Sequence, residues 1–362
     1  MAAVKKRILQ PGERIRVLVV DDSVVIRRLV THALEQDPNL HVVGTASNGA
    51  LALQRIPQLN PDVLTLDIEM PVMDGLETLQ RVRREYPHLR VIMFSTLTER
   101  GATVTLEALT LGADDYVAKA SNEGSLDRSM ARLREQLIPK IKQFFGLPES
   151  SLHNLAPCLP SPPGASPSAT TRPKAVAIGV STGGPAALGA ILPELPAEFP
   201  LPVLVVQHMP PLFTRFLAER LDSTCRLRVE EARQGMPVES GRILVAPGDL
   251  HMRVTANGTG IHICLDQSPP QNSCRPSVDV LFSSMGEVFA GGVVAVILTG
   301  MGQDGLRGAQ ILKARGATIL AQDEASSVVW GMPGAVVHAG LADRVLPLDK
   351  VVPEILRLTG ST

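Results

Sequence analysis

The segment Ala175-Val176-Ala177-Ile178-Gly179-Val180-Ser181-Thr182-Gly183-Gly184-Pro185 decides the fold, because it joins a short apolar run to a glycine turn. The run reads as a buried strand, and Ala186 to Leu192 continues at helical spacing. A serine at such a junction sits on a tight turn with its hydroxyl exposed at the strand end. The N–H groups of the helix start point towards it. This is the G-x-S-x-G arrangement used by acyl-transfer hydrolases. The same residues also suit a phosphate-cradling turn, or a serine that merely caps a helix.

The chain has 362 residues, long for one domain and comfortable for two. Its 36 acidic and 35 basic side chains nearly cancel, and no basic block marks a nucleic-acid-binding face. Cys158, Cys225, Cys264 and Cys274 lack CxxC spacing and read as reduced thiols of a cytoplasmic protein, not as a disulfide frame or a zinc site. Met1 to Arg16 is polar and basic without an apolar core, so no secretory signal is expected, and no apolar stretch reaches membrane-spanning length. Aromatic residues are only 3% of the chain, which leaves Val, Leu, Ile and Ala to build the cores, as in parallel α/β sheets.

Between Pro157 and Pro173, six of 17 residues are proline. Such a segment buries too little to offset its ordering entropy and reads as a semi-extended linker. A helix over Gly124–Phe145 leads into it, with Pro139 expected to kink it or end it early. Before the linker, strand-like runs at Ile15–Val20, Leu40–Thr45, Asp62–Leu66, Arg90–Phe94 and Asp114–Val117 alternate with helical segments. That alternation predicts a doubly wound parallel (βα)5 domain with its site at the C-terminal strand ends. After the linker, Ala175–Val180, Pro202–Gln207, Arg242–Ala246, Val293–Leu298 and Ala317–Leu320 predict a second α/β domain. A hairpin, Met252–Ala256 and Thr259–Leu265 turning at Asn257-Gly258, makes its sheet mixed though mostly parallel. The two halves show no sequence repeat. The expected domains are residues 15–135 and 174–362, joined by residues 136–173.

In the first domain Asp21 and Asp22 end the first strand, Asp67 ends the third and Lys119 follows the fifth. A doubly wound sheet gathers them at one crevice, where crowded carboxylates make sense chiefly as a site for a hard divalent cation such as Mg²⁺. One carboxylate can then attack a phosphoryl donor, and Ser95 can donate to the phosphoryl oxygens. Helix capping accounts for one aspartate but not for the whole set. The segments Val20-Asp21-Asp22-Ser23, Leu64-Thr65-Leu66-Asp67-Ile68-Glu69-Met70-Pro71, Phe94-Ser95-Thr96 and Ala113-Asp114-Asp115-Tyr116-Val117-Ala118-Lys119 closely resemble the two-component receiver domain. The resemblance implies Asp67 as phosphoacceptor, and Asp22, Asp67 and the Glu69 carbonyl as Mg²⁺ ligands with Asp21 acting through water. It implies Tyr116 as the aromatic switch position and a cytoplasmic histidine kinase as phosphodonor. Ala120 stands where receivers usually have proline after the lysine, and a cis bond before a non-proline residue is costly, so the resemblance does not carry a cis peptide over to Lys119–Ala120.

In the second domain Ser181 needs a base, and His208 ends the next strand, Val203–Gln207. Asp304 lies in a glycine-rich turn after Val293–Leu298 and suits the acid that orients an imidazole. His251, His262 and His338 are rivals, and His338 with Asp323 satisfies the Ser-Asp-His order of ordinary α/β-hydrolases. Spacing alone leaves that choice open. The segments around Ser181, Val206-Gln207-His208-Met209-Pro210, Ala246-Pro247-Gly248-Asp249-Leu250-His251, Arg275-Pro276-Ser277-Val278-Asp279, Thr299-Gly300-Met301-Gly302-Gln303-Asp304 and Gln322 to Pro333 resemble the chemotaxis protein-glutamate methylesterase family. The resemblance implies a catalytic triad of Ser181, His208 and Asp304, with the Met301 backbone as oxyanion donor and no cofactor in the esterase site. It further implies a phosphorylation-activated carboxylesterase that removes methyl esters from chemoreceptor glutamates and deamidates receptor glutamines, with no nucleic-acid or membrane-inserted partner.

Overall fold

The computed structural model describes residues 9–10, 12–96, 98–119, 126–147 and 172–361. The chain divides into two compact units, Met1–Cys158 and Leu159–Thr362. The proline-rich segment up to residue 171, and the Lys119–Ala120 peptide bond, lie outside the described residues.

The first unit alternates strands β1 (Ile15–Val20), β2 (Leu40–Ala46), β3 (Val63–Asp67), β4 (Arg90–Ser95) and β5 (Asp115–Ala118) with helices α1 (Val24–Glu35), α2 (Gly49–Leu59), α3 (Gly75–Glu85), α4 (Glu99–Thr110) and α5 (Leu126–Gln143). All pairings are parallel, in the order β2-β1-β3-β4-β5, so the connection reverses direction between β1 and β3. Every residue of β3 and β4 is buried, as expected for strands covered on both faces. Side-chain caps start the helices. Ser23 accepts from the Ile26 N–H and Asp74 from the Glu77 N–H.

Of the two outcomes expected of Pro139, the early end does not occur, since α5 runs on to Gln143 with the proline inside it. Leu137 and Ile141, on either side of the proline, are fully buried. Their packing offsets the one hydrogen bond that proline cannot make. The helix therefore crosses residue 135, and its buried stripe continues to Phe144.

The second unit contains strands β6 (Ala175–Val180), β7 (Val203–Gln207), β8 (Arg228–Glu231), β9 (Arg242–Val245), β10 (His251–Asn257), β11 (Gly260–Asp266), β12 (Val293–Ile297), β13 (Thr318–Gln322) and β14 (Arg344–Leu346). Its helices are α6 (Gly184–Ile191), α7 (Phe213–Asp222), α8 (Val278–Phe289), α9 (Leu306–Ala314), α10 (Met332–His338) and α11 (Val351–Thr359). Seven strands form one wholly parallel sheet in the order β14-β13-β12-β6-β7-β9-β8. The expected mixed sheet is thus two sheets, because β10 and β11 pair with each other and with none of the seven strands, β11 making besides only an isolated bridge from His262 to Pro237. The hairpin packs against α8 through β10, and its Met252, Val254 and Ile263 belong to the main core, which it joins without joining the sheet. Its turn is Gly258-Thr259, one residue later than expected, since Asn257 pairs with Gly260 and its side chain accepts from the Thr259 N–H. The sheet reverses direction at β6, with β7 on one side and β12 on the other. Ligand sites of open α/β sheets lie at such a point, beyond the C-terminal strand ends.

Candidate active sites

In the first unit, Asp21 directly follows β1, Asp67 ends β3 and Lys119 follows β5. The Lys119 ammonium lies 2.7 Å from Asp67 Oδ2 and 3.0 Å from Asp21 Oδ2. Asp21 and Asp67 are buried and Asp22 is exposed, with one carboxylate oxygen of each within 4.8 Å of the others. Burial pushes Asp67 up to about 6, against the lowering by its hydrogen bond to Lys119. Burial alone would lower Lys119, but Asp67 and Asp21 outweigh it and hold the ammonium above its ordinary value. Three carboxylates facing one cation leave uncompensated negative charge, and the donors are all hard oxygens. That set fits Mg²⁺.

The remaining predicted residues stand around this cluster in different ways. The Glu69 N–H bonds to Asp67, while its side chain is exposed beside Arg100. Ser95 is buried and its hydroxyl is engaged with α4, accepting from Thr105 Oγ1 at 2.6 Å and lying 3.2 Å from the Gly101 carbonyl. Tyr116 on β5 is half-buried with the Lys140 ammonium 5.4 Å from its ring centre. Asp22 does not cap α1, which is capped by Ser23.

In the second unit, three strand ends deliver the predicted residues to one place. Ser181 follows β6, and its N–H bonds to the Thr299 carbonyl at 3.0 Å. Its carbonyl accepts from the Gly184 N–H at 2.8 Å, which closes the turn into α6. The left-handed residue of this turn is Gly183, at φ +79°, and not the serine. His208 follows β7, whose Gln207 pairs with Val180, so Ser181 and His208 leave adjacent strands at the same level. Asp304 follows β12 on the other side of β6. Asp304 Oδ2 accepts from His208 Nε2 at 2.8 Å. Among the described residues, the Ser181 hydroxyl makes no hydrogen bond to the imidazole. Catalytic hydrogen bonds often tighten only when substrate is bound.

The rival histidines are placed elsewhere. His338 is exposed at the end of α10, edge-on to Trp330 with ring centres 5.3 Å apart, and Asp323 instead accepts from Ser326. His251 is fully buried and bonds the Pro269 carbonyl at 3.2 Å. His262 lies on the hairpin, where Thr255 is its cross-strand neighbour.

Burial would pull the His208 imidazole down, but its hydrogen bonds to Asp304 and Cys274 outweigh this and carry it up to about 10. Burial likewise opposes the Asp304 charge, yet the His208 hydrogen bond and charge, the Val278 N–H and the Ser277 hydroxyl bring it down to about 2. Both shifts favour an imidazolium–carboxylate pair.

Three residues of this site carry no signal in the reading of motif roles. Asn272 donates to Asp304 Oδ1 at 2.9 Å and to Asp279 Oδ2 at 2.8 Å, bridging two buried carboxylates. Ser277 donates to Asp304 Oδ1 at 2.8 Å. Cys274 Sγ lies 3.6 Å from His208 Nδ1. A buried aspartate demands several donors, and that requirement is the one clue that points to polar residues in the neighbouring loop.

The glycine turns are explained by close approach. A Cβ on Gly184 would sit 1.8 Å from Gln207 Oε1, and one on Gly300 would sit 2.5 Å from Met332 Sδ and 2.8 Å from Ser181 Cβ. Gly300→Ala is therefore expected to displace the serine turn. The expected loss of ester hydrolysis is on the order of 100-fold, with about 1–3 kcal/mol of stability lost. Parallel rate and thermal-melt measurements check this, and a wild-type rate would mean that the turn absorbs the methyl group.

Residues 176–355 match the CheB methylesterase family, and residues 17–131 match the response regulator receiver domain. A protein-glutamate methylesterase/protein-glutamine glutaminase of Trichodesmium erythraeum is 49% identical over 350 residues, covering 96% of this chain and 99% of that protein. The chain belongs to the CheB methylesterase family. A relative of the same description from Nocardioides sp. is 52% identical over 360 residues and also covers 96% of this chain. The solved catalytic domain of Thermotoga maritima CheB is 46% identical, with a TM-score of 0.51, and covers 52% of this chain and 100% of that domain. The chain is thus a CheB methylesterase preceded by a receiver domain, an enzyme of chemotaxis adaptation under phosphorylation control. Among the described residues, no helix is long and apolar enough to cross a membrane.

Proposed function

We propose that Ser181, His208 and Asp304 form the catalytic triad of this CheB esterase. The observation that carries the reading is the His208–Asp304 hydrogen bond, made across the strand that delivers Ser181. Because Asp304 occupies Nε2, the nitrogen left to act as base is Nδ1. His208 Nδ1 takes the Ser181 proton as Oγ attacks the ester carbonyl of a methylated glutamate. The Met301 N–H, which has no backbone acceptor among the described residues, supplies the oxyanion bond. His208 returns the proton to the departing methoxide, so methanol leaves and an acyl-serine remains. Water then attacks with His208 again as base, releasing glutamate and restoring the serine. A receptor glutamine follows the same route with ammonia as leaving group. The esterase needs no cofactor.

In the receiver, Asp67 is proposed as the phosphoacceptor. Asp21, Asp22, Asp67 and the Glu69 carbonyl would hold Mg²⁺, which when bound neutralises charge on the phosphoryl oxygens. Lys119 then pairs with a phosphoryl oxygen, Ser95 exchanges its α4 contacts for another, and Tyr116 follows as the switch residue. The phosphodonor is a chemotaxis histidine kinase, the substrate is the cytoplasmic domain of a methyl-accepting chemoreceptor, and the enzyme is cytoplasmic.

Methanol release from a methylated receptor fragment, followed across pH with and without acetyl phosphate, tests the proposal. The base must be neutral to act, and a raised imidazole pKa means that neutral form is gained only as pH rises. The acid limb of kcat/KM is therefore expected above the ordinary histidine value of 6.5. Asp304→Asn removes the charge that raises His208 and should move that limb downward. Acetyl phosphate should accelerate the wild type. A limb that stays in place in Asp304→Asn would show that another group controls the rate.

A further inference from the structure

We infer that Cys274 and His208 form a binding site for a thiophilic divalent cation such as Zn²⁺, and that occupancy of this site blocks the esterase. The inhibition rests on His208 being the base proposed above. Cys274 Sγ faces His208 Nδ1 at 3.6 Å, while Asp304 holds the other ring nitrogen, Nε2. Zn–S and Zn–N bonds of about 2.3 and 2.0–2.1 Å at a tetrahedral angle span an S···N edge of about 3.6 Å. The two donors already stand one tetrahedral edge apart.

The surroundings supply the outer partners such a site requires. A metal-bound histidine usually donates its other ring N–H to a carboxylate, which fixes its tautomer. His208 does this through Nε2 to Asp304. Asp304 lies close enough to appear as a third ligand, but it already accepts from the Ser277 hydroxyl, the Asn272 amide and the Val278, Asp279 and Gly305 N–H groups. It orients the imidazole and does not itself ligate. Solvent completes the coordination on the half-exposed side of Cys274, which makes this an open site and not a structural one.

The thiol is held in place by its loop. Asn272 and Ser273 both have left-handed backbone, at φ +51° and +61°. The Cys274 N–H bonds back to the Gln271 carbonyl at 2.8 Å. Arg275 ties the segment to the Gln267 and Ser268 carbonyls and to Asp249. Two consecutive left-handed non-glycine residues are costly, and they turn the loop so that Asn272 reaches Asp304 while Cys274 reaches His208. Sequence spacing hides the pair, because the cysteine and the histidine come from a loop and a strand end far apart in the chain.

On binding, the thiol loses its proton to solvent, along with any proton on Nδ1, and the sulfur and nitrogen lone pairs form the two metal bonds. The imidazole lone pair that would take the Ser181 proton is then occupied. Ester hydrolysis stops without any change in fold.

The test uses the full-length protein carrying Asp67→Asn, with excess Mg²⁺, so that the receiver carboxylates do not contribute. Co²⁺ should produce a thiolate-to-cobalt charge-transfer band that is lost in Cys274→Ala and in His208→Ala, with near-UV circular dichroism confirming that both variants fold. Zn²⁺ should inhibit methanol release, and a chelator should restore it. Relative to its own metal-free rate, Cys274→Ala should need on the order of tenfold more Zn²⁺ for half-inhibition. A cobalt band that persists in Cys274→Ala, or equal Zn²⁺ sensitivity of the two proteins, overturns the site. A band dependent on both residues together with undiminished methanol release overturns the inhibition and His208 as base, while leaving the metal site standing.

Discussion

Ser181→Ala and His208→Ala are each expected to lower methanol release from methylated receptor by roughly 10⁴- to 10⁶-fold. A serine hydroxyl is a weak nucleophile until a positioned base takes its proton, so losing either partner removes the same step. The double variant should consequently be little worse than either single one. What survives is the oxyanion bond and the binding of the receptor segment. Asp304→Asn leaves both nucleophile and base present but disturbs the tautomer that makes Nδ1 the free nitrogen, so its loss should be smaller or at most comparable. The decisive comparison is with His338→Ala. That residue is exposed at the end of α10, packed on Trp330, and should retain wild-type turnover. If His338→Ala were inactive while His208→Ala kept its rate, the triad would have to be reassigned.

Asp67→Asn is expected to abolish acid-labile incorporation of phosphate from acetyl phosphate, and with it the acceleration of the esterase. Asparagine is close in shape, so the β3 end and its neighbours are preserved. What it lacks is the carboxylate oxygen that forms the acyl phosphate. Asp21 is buried in the same cluster and paired with the same lysine, which makes it the one internal competitor. The Lys119 ammonium is shared at 2.7 Å to Asp67 and 3.0 Å to Asp21. With Asp67 neutralised, Lys119 should settle on Asp21 and shield it. Magnesium chelation should suppress labelling of the wild type. Phosphate uptake by Asp67→Asn at the wild-type rate and stoichiometry would falsify the assignment.

How much of this was readable in the chain depended on burial. Strands such as β3, β4, β6, β7 and β12 are buried along their whole length, and each stands out as a short, predominantly apolar run. Their ends therefore located Asp67, Ser181, His208 and Asp304 at sheet edges before any coordinates. The edge strands β8 and β14 escaped notice for the opposite reason. Arg228-Val229-Glu230-Glu231 has one buried residue in four, and Arg344-Val345-Leu346 has none. The separate hairpin sheet was unreadable because pairing partners are a tertiary property. Asn272, Ser277 and Cys274 lie in or at the end of an irregular loop without periodicity. Their meaning comes from the buried carboxylate and imidazole they meet.

The position of β6 at the middle of its sheet has a consequence for biosynthesis. Its partner on one side, β7, follows almost at once, whereas β12, its partner on the other, is among the later strands to emerge from the ribosome. Until then, the Ala175–Val180 backbone presents a bare row of amides and carbonyls flanked by apolar side chains, the kind of surface that recruits other chains. Asp304 arrives just behind the strand that closes this gap. A nascent or truncated chain ending before it would thus be both sticky and inert, and hydrolytic competence would be acquired in the same step that seals the molecule against aggregation.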